Sequence, residues 1–288
     1  MTKRPIDDIT GTETTGHEWD GIRELDTPMP RWWLITFYIT IAWSIVYCVL
    51  YPAIPLLKTN TQGTLGYSSR GELDKSLQKA REAQTGLRDK IKSGTLASIM
   101  ADPQLFSFAK AGGKAAFKVN CVQCHGSGAE GSVGNPNLND DDWLWGGKLE
   151  DIYQTIKHGA RYEQDDDTRL SEMPAFGKDE LLDKNQVEQV TDYVLSLSKG
   201  SADASSSGAQ IFAEQCASCH GKTGAGDRSV GAPPLNDQIW LYGGDKKTVM
   251  ESIHNSRKAV MPAWAHRLDP ETIKQLTIYV HSLGGGEK

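Results

Sequence analysis

The sequence twice places two cysteines and a histidine in the order Cys-x-x-Cys-His: Cys121, Cys124 and His125, then Cys216, Cys219 and His220. One helical turn then sets two thiols on one face with an imidazole beside them. That arrangement suits two thioether bonds to the vinyl groups of a haem, with the histidine as axial iron ligand. Other uses fit less well. A redox dithiol does not need the adjacent histidine and usually lies near a βαβ pattern, which is absent from this sequence. A zinc ribbon wants its cysteine pairs about 15–20 residues apart. The fifth cysteine, Cys48, reads as an inert apolar residue. The expected cofactor load is two covalently bound haem c.

A sixth iron ligand follows from the repeat. Met173 and Met261 occupy equivalent positions, each followed by proline, alanine and an aromatic residue. A thioether sulfur is a soft ligand suited to low-spin haem iron, and histidine–methionine ligation raises the reduction potential. The following proline stiffens the loop that would hold the sulfur. The expected iron ligands are therefore His125, Met173, His220 and Met261. His158 and His254, near-aligned on a later helix, are rivals for the sixth position. Met29, Met100 and Met250 do not recur and read as gap fillers. His17, His266 and His281 read as surface histidines. The carbonyls of Pro136 and Pro233 are placed to accept the histidine Nδ1–H and fix the ring. Trp143, Trp145, Trp240 and Tyr242 are candidate haem walls, with N–H or O–H groups that could reach propionates. Iron that holds both histidine and methionine keeps no open position for a substrate. No catalytic residue is expected on this chain, and electron transfer is favoured over O₂ or peroxide chemistry.

The elements that carry these residues also repeat. FKVNCVQCHG returns as FAEQCASCHG, PNLND as PPLND, LWGG as LYGG, EMPAF as VMPAW, and YVLSL as YVHSL. The first copy carries an additional acidic stretch within RYEQDDDTRLSE, before its methionine. Each copy reads as a helix into the cysteine motif, a second helix (Leu149–Lys157; Lys246–Ser256) and a closing helix (Val187–Leu197; Thr272–Leu283). Long Gly-, Asn- and Pro-rich loops join them, and no strand pattern is convincing. Such loops are hard to stabilise in a small domain without a cofactor to fill the core.

Across the 288 residues, 38% are hydrophobic and 24% charged, with a net charge of -6. These values exclude a polytopic membrane protein, a disordered chain and a basic nucleic-acid binder. The averages conceal one segment. WWLITFYITIAWSIVYCVLY, Trp32 to Tyr51, has no charge and aromatic residues at both ends. Its helical length of about 30 Å matches a bilayer core. It starts too late and runs too long for a cleaved signal peptide. Flanking charges do not orient it. Because haem is attached to such motifs outside the bacterial cytoplasmic membrane, the expected orientation has the tail inside and the haem domains outside. A polar segment from Glu72 to Lys92 reads as a surface or linker helix.

The repeat resembles class I cytochrome c. The stretch EWDGIRELDTPMPRWWLITFYITIAWSIVYCVLYPAIP, Glu18 to Pro55, resembles the hallmark of the CcoP/FixP family, the dihaem subunit III of cbb3-type cytochrome c oxidases. The resemblance implies an all-α chain: one N-terminal transmembrane helix followed by two tandem class I cytochrome c domains. The expected division is a cytoplasmic tail (1–31), a transmembrane helix (32–54), a periplasmic spacer with a helix (55–101), a first domain (102–199), a linker (200–205) and a second domain (206–288). It also implies an electron relay in the bacterial inner membrane that serves an oxidoreductase complex. The implied partners are c-type cytochrome donors, a monohaem cytochrome subunit, the proton-pumping haem–copper subunit that reduces O₂, and the bilayer. The haem-binding positions carry over to Cys121, Cys124, His125, Met173, Cys216, Cys219, His220 and Met261. The family suggests that the methionines are exchanged between copies, while the spacing leaves both pairings open. The alternatives are an anchored dihaem cytochrome serving a dehydrogenase or nitrite reductase, and a dihaem peroxidase with a displaceable ligand. A haem gas sensor would need an output domain, which is not read here.

Overall fold

The computed structural model describes residues 4–287, which divide into two compact units on either side of the Ala83–Gln84 boundary. In the first unit the acidic tail is not featureless. It forms an antiparallel hairpin of β1 (Thr14–Trp19) and β2 (Ile22–Leu25). Asp20 and Gly21 make the turn with φ of 48° and 83°. Two successive left-handed residues match the right-handed twist of the paired strands, and an Asp-Gly pair adopts them at least cost. Thr14 is fully buried and donates its hydroxyl to the Pro5 carbonyl at 3.0 Å.

Helix α1 (Arg31–Leu50) follows, long and apolar enough to cross a membrane, with none of its residues buried. Its threonine and serine hydroxyls are satisfied within the helix: Thr36 donates to Trp32 at 2.9 Å, Thr40 to Phe37 at 2.7 Å and Ser44 to Thr40 at 2.8 Å. Such a helix presents few unpaired polar groups to lipid. The chain then folds back, and Thr64 and Leu65 donate to the Val49 and Leu50 carbonyls, covering orphan acceptors at the helix end. Gly63 permits this approach, since a side chain there would meet Leu50 O at 2.4 Å.

Helix α2 (Ser69–Ser93) begins in the first unit and ends in the second. The second unit continues with α3 (Leu96–Ala101), α4 (Pro103–Asn120), the single turn α5 (Val122–His125) and α6 (Leu149–His158). After a long loop come α7 (Lys184–Ser198), α8 (Ser207–Gln215), the turn α9 (Ala217–His220), α10 (Lys246–Asn255) and α11 (Pro270–His281). Among the described residues, strands are confined to the N-terminal hairpin. The helices start at the expected signals. Asp183, Asp245 and Asp269 each cap a helix with a side-chain carboxylate, and Asp183 with Gln186 forms a full capping box.

The packing crosses between the copies. Helix α11, from the second copy, lies on α4 and α6 of the first, and α7, from the first copy, lies on α8 and α10 of the second. One core gathers Phe117, Ala129, Ile152 and Ile156 with Ile273, Leu276, Tyr279 and Val280. The other gathers Phe176, Val187, Val190 and Val194 with Ile211, Phe212, Val249 and Ile253. The repeat-matched aromatic pairs confirm the crossing: Phe117 meets Tyr279 and Phe212 meets Tyr193, each at 5.4 Å between ring centres. The helices α6 and α11 thus close on each other, while α7–α10, which lie between them in sequence, pack among themselves.

Candidate haem centres

Each cysteine motif sits where one helix ends and a single turn begins. Cys121 ends α4 and Cys216 ends α8, and the turns close at Gly126 and Gly221, with φ of 81° and 75°. Backbone bonds from His125 to Cys121 and from His220 to Cys216, both 2.9 Å, hold the motif as one turn. Cys124 and Cys219 are exposed, while Cys121 and Cys216 are partly buried. Burial, with the neighbouring thiol, pushes Cys121 and Cys216 up to about 11.

Both imidazoles are fixed as the sequence anticipates. His125 Nδ1 lies 3.0 Å from the Pro136 carbonyl, and His220 Nδ1 lies 3.0 Å from that of Pro233. A carbonyl can only accept, so Nδ1 carries the hydrogen and Nε2 keeps its lone pair for a metal. Burial lowers both histidine pKa values, partly offset by the carbonyl bond. The neutral ring, the form that ligates, is thereby favoured.

The two methionines sit across the repeat. Met261 packs on the core that holds Cys121, and Met173 on the core that holds Cys216. Backbone bonds fix both loops. Ala160 and Met261 bond each other at 2.9 and 3.0 Å, and Trp264 and Ala265 donate to the Ile156 and Lys157 carbonyls at the end of α6. Reciprocally, Phe176 donates to Ile253, and Gly177 and Lys178 to His254, at the end of α10. Ser256 Oγ donates to the Met173 carbonyl.

A cavity of about 510 Å³ is lined by Met173, Cys216, Cys219, His220, Pro233 and Trp240. Paired thiols, a tautomer-fixed imidazole and a thioether around an apolar space of this size fit a haem c. Pro136, whose carbonyl orients His125, lines the same cavity. The loop that supports one centre is thus a wall of the other.

The remaining candidates separate clearly. His158 is buried and bonds Asp165 at 2.9 Å, within the additional acidic stretch of the first copy. His254 is packed against Gly177 in the Met173 loop. Trp240 and Tyr242 line the cavity. Trp143 instead donates its N–H to the Gly285 carbonyl at 2.6 Å, and Trp145 lies beneath Arg169.

Asp142, on the cavity wall, was not anticipated. Burial, with Asp237 and Asp140 nearby, pushes its carboxyl from 3.8 up to about 6, against the opposing pull of Arg228. The folded chain therefore holds a proton that the unfolded chain has lost between these two values. The contribution favours folding below 3.8 and fades as pH rises through about 6. Melting curves are expected to lose part of this pH dependence in Asp142→Asn. An unchanged profile over that window would remove the assignment.

Comparison with known proteins agrees with the architecture. Residues 11–58 match a family described as the N-terminal domain of cytochrome oxidase-cbb3, FixP. Residues 110–198 match cytochrome c, and residues 203–280 match cytochrome c oxidase, cbb3-type, subunit III. The chain is 53% identical over 276 residues to the cbb3-type oxidase subunit CcoP of Cereibacter sphaeroides, covering 95% of each chain. It is 52% identical over 284 residues to FixP of Rhizobium meliloti, covering 98% of each. It is also 52% identical to CcoP of Azospirillum sp. (strain B510), across 100% of both chains. With a membrane-length apolar helix near its N-terminus and two cytochrome c domains behind it, the chain belongs to the CcoP/FixP family of cbb3-type cytochrome c oxidase subunits.

Proposed function

We propose that this chain is a dihaem electron relay anchored in the bacterial inner membrane, with both haem domains on the periplasmic side. Two haem c groups are held by thioether bonds, one at Cys121 and Cys124, the other at Cys216 and Cys219. His125 and Met261 ligate the first iron, and His220 and Met173 the second. When bound, each haem supplies a one-electron couple. The protein's task is positional. The carbonyls of Pro136 and Pro233 fix the imidazoles, the two Met-Pro loops hold the sulfurs, and apolar walls exclude water. A histidine and a methionine from the chain would together ligate each iron, which favours electron transfer over O₂ chemistry. Electrons enter from a periplasmic or membrane-bound c-type cytochrome. They leave towards a monohaem cytochrome subunit and then the haem–copper subunit that reduces O₂.

The observation that carries the reading is the reciprocal seating of Met261 on the Cys121 core and Met173 on the Cys216 core, with the imidazole of each motif held by a proline carbonyl. The test is the composition of the complex purified in detergent through this chain. The expected result is two low-spin c-type haems on the chain, with haem b and copper co-purifying. Absence of haem b and copper would point to an anchored cytochrome serving another enzyme. A high-spin haem on the resting chain would point to a peroxidase.

A further inference from the structure

The two methionine loops are irregular backbone, held by individual hydrogen bonds more than by helices. One side chain reaches both. Arg161 donates from Nε to the Ala259 carbonyl at 2.8 Å and from Nη1 to the Ser171 carbonyl at 3.2 Å. Ala259 stands two residues before Met261, and Ser171 two residues before Met173. Arg161 follows Ala160, which itself bonds Met261 in both directions. Its φ of 56° lies in the left-handed region, an uncommon conformation for a residue with a side chain. Its own N–H is held by the Arg169 carbonyl at 2.9 Å. The side chain also lines the cavity beside Met173 and His220. A guanidinium offers several N–H donors in a rigid planar fork, so one side chain can face two separate loops at once.

We infer that Arg161 is a positioning residue common to both haem centres, a clasp that holds both axial methionine loops in register. The inference rests on the exchanged ligation proposed above. Its signature is coupling: one substitution in the first copy alters both centres together. A residue that merely supported local packing would disturb one centre, or neither.

The experiment uses the full-length chain matured with both haems, in detergent. Its readouts are the far-red methionine-to-ferric-iron absorption and a redox titration resolved into two components, compared at equal haem content. If the wild-type chain lacks the methionine absorption, the ligation reading fails before the clasp is tested. If the wild type shows it, Arg161→Gln is expected to cut it to less than about half and to move both midpoints to lower potential, because methionine ligation raises potential. Arg161→Gly relieves the left-handed backbone while removing the clasp, and the same double loss is expected. Arg169→Gln removes a neighbouring arginine that bonds Asp151 and covers Trp145. It is expected to leave both midpoints in place. A shift of one component alone, no shift in either Arg161 variant, or an equal double shift in Arg169→Gln would overturn the inference.

Discussion

Replacing Met261 by leucine is expected to lower the midpoint potential of the haem at Cys121 and Cys124, not that of the haem in its own sequence copy. The cleanest measurement uses a chain whose second attachment motif is disabled by Cys216→Ala and Cys219→Ala, so that a single c-type haem remains. In that background Met261→Leu should shift the remaining haem downward by on the order of 0.1 V, a fraction of the roughly 0.8 V that axial ligation spans. Met173→Leu should leave it nearly unmoved. The reverse pattern would return each methionine to its own copy. The expectation stands on packing and backbone bonds: Met261 lies on the Cys121 core and pairs with Ala160, and its loop continues along the end of α6.

The second large effect concerns the two helix crossings that join the copies, α11 on α4 and α7 on α8. At Gly113 a Cβ would lie 2.1 Å from the Gln275 carbonyl oxygen and 2.7 Å from Tyr279 Cβ. At the repeat-matched Gly208 it would lie 2.3 Å from the Gln189 carbonyl oxygen and 2.9 Å from Tyr193 Cβ. The obstacles are backbone and Cβ atoms, which no rotamer change can move. Gly113→Ala and Gly208→Ala should each therefore destabilise the chain by about 3 kcal/mol, the upper range of overpacking, despite alanine's better helix propensity. Gly86, in α2, has nothing within 4 Å of the same position. Gly86→Ala should be neutral or slightly stabilising. Chemical denaturation of the haem-loaded variants checks all three. Tolerance at Gly113 and Gly208 would mean that the helices do not cross there.

Much of the centres was legible in the residues. The attachment motifs, the imidazoles and the proline carbonyls follow from local spacing, because each depends on a few neighbouring residues. The helices lie within a few residues of their expected bounds for the same reason. Pairing was not legible from spacing alone. Phe117 and Phe212 are repeat-matched, as are Tyr193 and Tyr279, so either combination satisfies the same ring contact. Two chemically equivalent interfaces leave the choice to chain geometry, which residue types do not encode. The role of Arg161 is not legible in the sequence because its partners are backbone carbonyls, which carry no sequence signature. The hairpin was a different kind of omission. Asp20-Gly21 is a strong local turn signal set within a tail whose polarity suggests no structure. Trp143 has an N–H as anticipated, but its partner is the Gly285 carbonyl from the far end of the chain.

The nested path of the chain sets an order in time. The first cysteine motif is synthesised well before Met261 and α11, which seat against its core. The segment with Met173, α7, Cys216, His220 and α10 is by then fully translated. The centre that is second in sequence can be completed first, and the first must wait, open on one side, for the C-terminal helix. A chain cut after Lys258 would keep every residue of the later motif's site and lack the methionine and helix of the earlier one. With the methionines exchanged as proposed, damage to α11 is expected to show itself at the haem of the first cysteine motif, because α11 and Met261 pack on that motif's core.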